Sequence, residues 1–106
     1  MLNLDLTQLK EENIVIYGAG VYGELAYRGL EYIGVKPRFF CDRYVAGQEY
    51  FGVQVIDFER LEADYKDYLI LIASAPYFGE IRSLLEEHDF LRVCSIEKLI
   101  ELTIKK

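Results

Sequence analysis

The stretch Ile14-Val15-Ile16-Tyr17-Gly18-Ala19-Gly20-Val21-Tyr22-Gly23 constrains the fold more than any other part of the chain. A continuous apolar run from Ile14 to Tyr17 is what a strand buried on both faces requires. It stops abruptly at Gly18-x-Gly20-x-x-Gly23, and a helical pattern begins at once. Strand, glycine turn, helix is the order in which this spacing serves as a phosphate-binding loop. Gly18 turns the chain off the strand, Gly20 leaves room for a pyrophosphate against the backbone, and Gly23 lets the helix press on the strand. The backbone amides of Val21 and Tyr22 and the positive end of the helix dipole then face the anion. The same residues can also make a tight turn that holds nothing, so the rest of the chain must supply the context.

The helix after the turn is expected from Val21 to Ile33, with Leu25, Ala26, Gly29, Leu30 and Ile33 on its inner stripe and Gly34 ending it. Gly29 costs roughly 1 kcal/mol against Ala inside a helix, and close contact with the sheet is the expected compensation. Pro37 opens a second strand, Arg38 to Cys41, which ends at Asp42. Asp42 stands nineteen positions beyond Gly23, where a dinucleotide fold places the carboxylate that accepts from ribose hydroxyls. An Asp also suits any polar turn, but the glycine loop upstream favours the ribose role. Arg43 suits a 2′-phosphate, which Asp42 repels. The pair therefore leans towards a free 2′-hydroxyl.

Tyr44 to Gly52 reads as a loop and Val53 to Ile56 as a short third strand. Asp57 is an N-cap for a brief helix over Phe58 to Ala63, with Leu61 inward. Tyr68 to Ala73 is the most apolar segment and is expected to be central. Ser74, Ala75 and Pro76 lead into a helix from Tyr77 to His88 that buries Ile81, Leu84 and Leu85. Leu91 to Cys94 forms a fifth strand, and Ser95 caps a last helix over Ile96 to Thr103, with Ile96, Leu99, Ile100 and Thr103 inward. Lys105 and Lys106 follow its end, where cations suit the dipole. At the N-terminus, Leu2, Leu6 and Leu9 share one face of a lead-in helix, although the alternation of Leu2, Leu4 and Leu6 also permits a strand.

This alternation defines an α/β fold: one domain over residues 1–106, doubly wound, with a mostly parallel five-stranded sheet of order 3-2-1-4-5 and helices on both faces. In that order the first and fourth strands are neighbours, and the crevice between their C-terminal ends is the topological switch point. Ser74 would face Gly18 to Tyr22 across it, or would simply cap the next helix. Tyr22 could lay its ring over a nucleotide or over the flank of its own helix.

The net charge of −6 opposes nucleic acid or an anionic membrane as the main partner, since both need a cationic surface. A small phosphate ligand is not opposed, because a helix N-terminus is locally positive. No apolar run approaches the ~18 residues of a membrane span. The N-terminus has no basic, apolar leader pattern, so the cytoplasm is the expected location. Cys41 and Cys94 are far apart, have no Cys-x-x-Cys spacing and each end an apolar segment, which points to buried reduced thiols. With His88 the single histidine, no metal site is expected. His88 falls at a helix C-terminus and reads as structural. Tyr32 and Lys36 have the spacing of a short-chain dehydrogenase pair, but they straddle the end of the first helix, at the opposite end of the sheet from the glycine loop. No Ser-His-Asp set or Walker lysine is present.

Tyr17-Gly-Ala-Gly-Val-Tyr-Gly23, Phe40-Cys-Asp-Arg43, Gly52-Val-Gln-Val-Ile56 and Leu69 to Ser74 together resemble the small Rossmann-type domains of surface-sugar biosynthesis proteins. These include N-terminal domains of sugar acyltransferases, nucleotide-sugar dehydratases and sugar-modifying methyltransferases. The resemblance runs from about Ile14 to Leu99. It implies binding of NAD(P) or a nucleotide-sugar, with Gly18, Gly20, Val21, Tyr22 and Gly23 at the phosphates, Asp42 and Arg43 at the ribose, and Ser74 on the far wall. The family's catalytic half has no counterpart in these residues, so no turnover is expected of this chain alone. An S-adenosylmethionine loop is the nearest relative in chemistry. It carries an acidic residue before its glycines, where this chain has Ile16 and Tyr17. The contrasting expectation is an assembly domain with a vestigial loop, docking another domain or a second copy through Tyr44, Tyr50, Phe51, Tyr65 and Tyr77.

Overall fold

The computed structural model describes residues 5–104. The expectations for Leu2, Leu4, Lys105 and Lys106, and the inward side chain expected for Thr103, lie outside what is described. The chain runs α1 (Leu6–Glu11), β1 (Ile14–Tyr17), α2 (Val21–Tyr32), β2 (Phe39–Cys41), β3 (Glu49–Tyr50), β4 (Val53–Ile56), α3 (Phe58–Asp64), β5 (Leu69–Ile72), α4 (Phe78–Glu87), β6 (Val93–Ser95) and α5 (Ile96–Ile104).

The sheet has six strands in the order β3-β4-β2-β1-β5-β6, which corrects the expected count of five. The five expected strands pair in parallel, with β1 between β2 and β5. The sixth, β3, lies inside the segment expected to be a loop and pairs antiparallel with β4 at the edge. Phe51 and Gly52 turn this hairpin, both at positive φ (56° and 77°), as the tightest hairpin turns demand. Phe51 is costly there. Its ring stacks on Tyr27 of α2 at 4.6 Å, and the Arg28 guanidinium lies 4.8 Å from its centroid. The hairpin is thereby braced against the helix that follows the glycine turn.

Alternation along the strands divides the core in two. Ile14, Ile16, Phe40, Val55, Leu69 and Leu71 face Leu9 of α1, Ala26 and Leu30 of α2, and Leu99 of α5. Val15, Cys41, Ile56, Ile70, Ile72 and Val93 face Leu61 of α3 and Leu85 of α4. Helices therefore cover both faces, and all four β5 residues are buried. Cys41 and Cys94 are buried free thiols in different halves of this core.

Three inner-stripe expectations are corrected. Leu25, Leu84 and Ile100 are at least partly exposed. α2 turns Gly23, Ala26 and Leu30 inward, so Leu25, one residue short of Ala26, is swung about 100° off the buried face. Gly29 does allow a close approach, but to another helix: a Cβ there would lie 3.2 Å from Leu99 Cδ2 of α5. Helix–helix contact replaces the helix–sheet contact expected. The Tyr77 start expected for α4 moves to Phe78, with Tyr77 as the N-cap.

Candidate functional site

The C-terminal ends of β1, β2 and β5 meet beneath the glycine turn. The Gly18 amide donates to Cys41 O (2.9 Å), and the Ala73 amide donates to Tyr17 O (3.0 Å), so both neighbouring strands hold the turn. Gly18 has φ +113°, and a Cβ on it would sit 3.1 Å from Ala73 O. Gly23 is buried, and a Cβ there would fall 2.3 Å from Gly18 O, a collision between backbones that nothing flexible can relieve. Gly20 differs from both: a Cβ there meets nothing within 4 Å.

Gly20 is the N-cap of α2, and no side chain caps the helix. The first intrahelical bond runs from Glu24 N–H to Gly20 O at 3.0 Å. The amides of Val21, Tyr22 and Gly23 precede it and have no acceptor within the helix. Those of Val21 and Tyr22 lie beside open surface, since Gly20, Val21 and Tyr22 are exposed, whereas Gly23 is buried. Uncapped amides at the positive end of a helix form a ready-made anion site.

Asp42 joins this turn to the end of β2. Its Oδ2 accepts from the Ala19 amide at 3.1 Å, and its Oδ1 accepts from the Tyr44 amide at 2.9 Å. The sequence signals the acid but not this clasp on the loop, because a contact across 23 residues leaves no local pattern. Each oxygen keeps acceptor capacity, because an ionised carboxylate offers about four sites in all. Arg43 is exposed and folds onto the next residue: its Nη2 donates to the Tyr44 hydroxyl at 2.8 Å, and its guanidinium lies 4.9 Å from the Tyr44 centroid. That hydrogen bond, ahead of weaker charge effects, pushes the Arg43 pKa up.

On the β5 side Ser74 is half-buried and its Oγ accepts from the Tyr77 amide at 3.3 Å, the cap-like use anticipated beside the ligand role. Tyr22, Tyr44 and Tyr77, which follow β1, β2 and β5, are all exposed. Tyr50, Phe51 and Tyr65, by contrast, engage other rings of the chain.

Two groups in the core are chemically quiet. Burial, followed by the nearby Asp42 charge, pushes the Cys41 thiol up to about 12. Burial also raises Tyr17. Neither suits a nucleophile at neutral pH. His88 Nδ1 meets Glu62 Oε2, tying the end of α4 to α3. Among the described residues no group of three or more His, Cys, Asp or Glu is placed to hold a metal. No helix among them is long and apolar enough to cross a membrane.

A groove of about 420 Å3 lies far from the glycine turn, between the Lys36–Phe39 stretch and the hairpin residues Glu49, Gly52 and Gln54. Depth alone does not make a site. The uncapped amides and the carboxylate stand together at the other end of the sheet.

The fold is thus an open, mostly parallel α/β sheet with a glycine turn at its switch point. No family model and no curated protein matches the sequence. Solved structures do match in fold. They include the acetyltransferase domain of PglB from Neisseria gonorrhoeae FA1090, with a TM-score of 0.58 at 19% identity, over 74% of this chain and 41% of that one. The chain therefore spans less than half the length of that structure. At this identity the likeness speaks for the fold alone.

Proposed function

We propose that this chain is the nucleotide-binding module of a sugar-biosynthesis enzyme, taking NAD(P) or a nucleotide-sugar. The phosphates would rest on the exposed amides of Val21 and Tyr22, and the ribose hydroxyls on the free acceptor sites of Asp42. Gly20 carries this reading. Gly18 and Gly23 are demanded by the fold, whereas a side chain at Gly20 has room. Ser or Asp there would add a cap bond worth roughly a few tenths of a kcal/mol over glycine. Glycine forgoes that bond and keeps the space in front of the amides clear, which is what an anion needs. The sugar-biosynthesis setting rests on the sequence resemblance; the acetyltransferase domain shares the fold and carries no function over.

The test is thermal unfolding with NAD, NADP, UDP-N-acetylglucosamine and S-adenosylmethionine, on the native chain and on Gly20→Ser. A bound nucleotide at ~100 Kd stabilises by roughly 2.7 kcal/mol. Gly20→Ser is expected to fold with equal or higher stability and to lose the ligand shift. Equal ligand shifts in both proteins would remove the phosphate-loop assignment.

The outer pole of α2 favours a second reading, an assembly face. Val21, Leu25 and Tyr32, at helical spacing, are 83%, 49% and 69% exposed. Sedimentation of the native chain and of Leu25→Glu separates the readings. A native dimer broken by Leu25→Glu supports assembly, and a concentration-independent monomer opposes it.

A further inference from the structure

We propose that Tyr44, backed by Arg43, is the platform on which the nucleobase stacks, so that the chain holds a nucleoside diphosphate by base face rather than by base identity. This rests on the nucleotide reading above and assigns the base, which the glycine loop and Asp42 leave without a partner. At 80% Tyr44 is the most exposed aromatic among the described residues, yet it is held at three points. Its amide donates to Asp42 Oδ1 (2.9 Å), its hydroxyl accepts from Arg43 Nη2 (2.8 Å), and the guanidinium lies 4.9 Å from the ring centroid. An exposed ring already in contact with a neighbouring guanidinium loses less freedom when a base covers it than one with no contact, which favours binding. The guanidinium adds a second planar, cationic surface for a π-face.

Position supports the same reading. Asp42 accepts from Ala19 in the phosphate turn with one oxygen and from Tyr44 with the other. Loop, acid and the Tyr44 backbone are thus joined in that order through one carboxylate, the order in which phosphate, ribose and base follow one another in a nucleotide. Stacking tolerates any base, because every base has a π-face. Purine and pyrimidine ligands should then depend on Tyr44 alike.

The experiment measures affinity by titration calorimetry for ADP, UDP and, as a base-free probe, inorganic pyrophosphate, using the native chain, Tyr44→Ala and Tyr44→Phe. The expected result is ADP and UDP weakened about tenfold or more by Tyr44→Ala, nearly native in Tyr44→Phe, and pyrophosphate unchanged throughout. Native binding of ADP and UDP that survives Tyr44→Ala would overturn the platform and leave the phosphate loop standing. Equal weakening of pyrophosphate would also overturn it, since the ring would then act through Asp42 and the turn. If none of the three probes binds the native chain, the nucleotide reading falls and the platform falls with it.

Discussion

Gly20 and Gly23 sit three residues apart and answer to different masters. A methyl group at Gly23 would be driven against Gly18 O, and two backbones must separate to admit it. Gly23→Ala is therefore expected to cost about 1–3 kcal/mol, the usual range for overpacking, as a fall in the urea midpoint at unchanged slope. Gly20→Ala, with open space around its Cβ, should lose only the N-cap advantage of glycine over alanine, about 1 kcal/mol or less. Asp42 mixes both kinds of role. Asp42→Ala leaves the Ala19 and Tyr44 amides without their acceptor, so a loss of about 1–3 kcal/mol is expected before any ligand is added. Its effect on binding cannot be credited to ribose alone. The clean readout is the ratio of affinities for a ribonucleotide and its 2′-deoxy counterpart: if Asp42 serves the ribose, that ratio collapses towards one in Asp42→Ala, and if it only clasps the loop, both ligands weaken together.

At the scale of elements, what could be read from the chain follows from how local each signal is. β1 and β5 are continuous apolar runs because both faces of a central strand are buried, and their neighbours in sequence suffice to place them. Asp57 announced α3 through the cap it makes, its Oδ1 accepting from the Arg60 amide at 2.9 Å. Asp57→Ala should lower stability by about 1 kcal/mol in chemical denaturation. β3 left no such mark. Two residues, one of them a charged Glu49, become a strand only because β4 lies alongside. Gly29 was legible as a close approach but not as to what, since α5 arrives from 70 residues downstream. The glycine turn was legible as a unit, and its clasp by Asp42 was not, for the same reason of distance along the chain.

The whole molecule should feel its buried thiol at high pH. Cys41 lies in the half of the core beneath α3 and α4, and its pKa stands near 12 in the fold against an ordinary 9.0. A thiol that ionises more easily once unfolded lends its stability in full below pH 9. Above pH 9 the unfolded chain sheds a proton that the folded chain keeps, and the loss continues up to pH 12. The slope approaches 1.4 kcal/mol per pH unit in the middle of that window. Tyr17, in the same half of the core and raised by burial, adds to the loss in the same direction above pH 10. Unfolding by urea at steps from pH 7 to pH 11 should give a plateau and then a steep decline. Cys41→Val removes the titrating proton for a slightly larger apolar side chain, so it should flatten the decline while leaving the glycine turn intact. A decline of equal steepness in Cys41→Val would place the alkaline weakness elsewhere and show that the thiol is less secluded than its burial indicates.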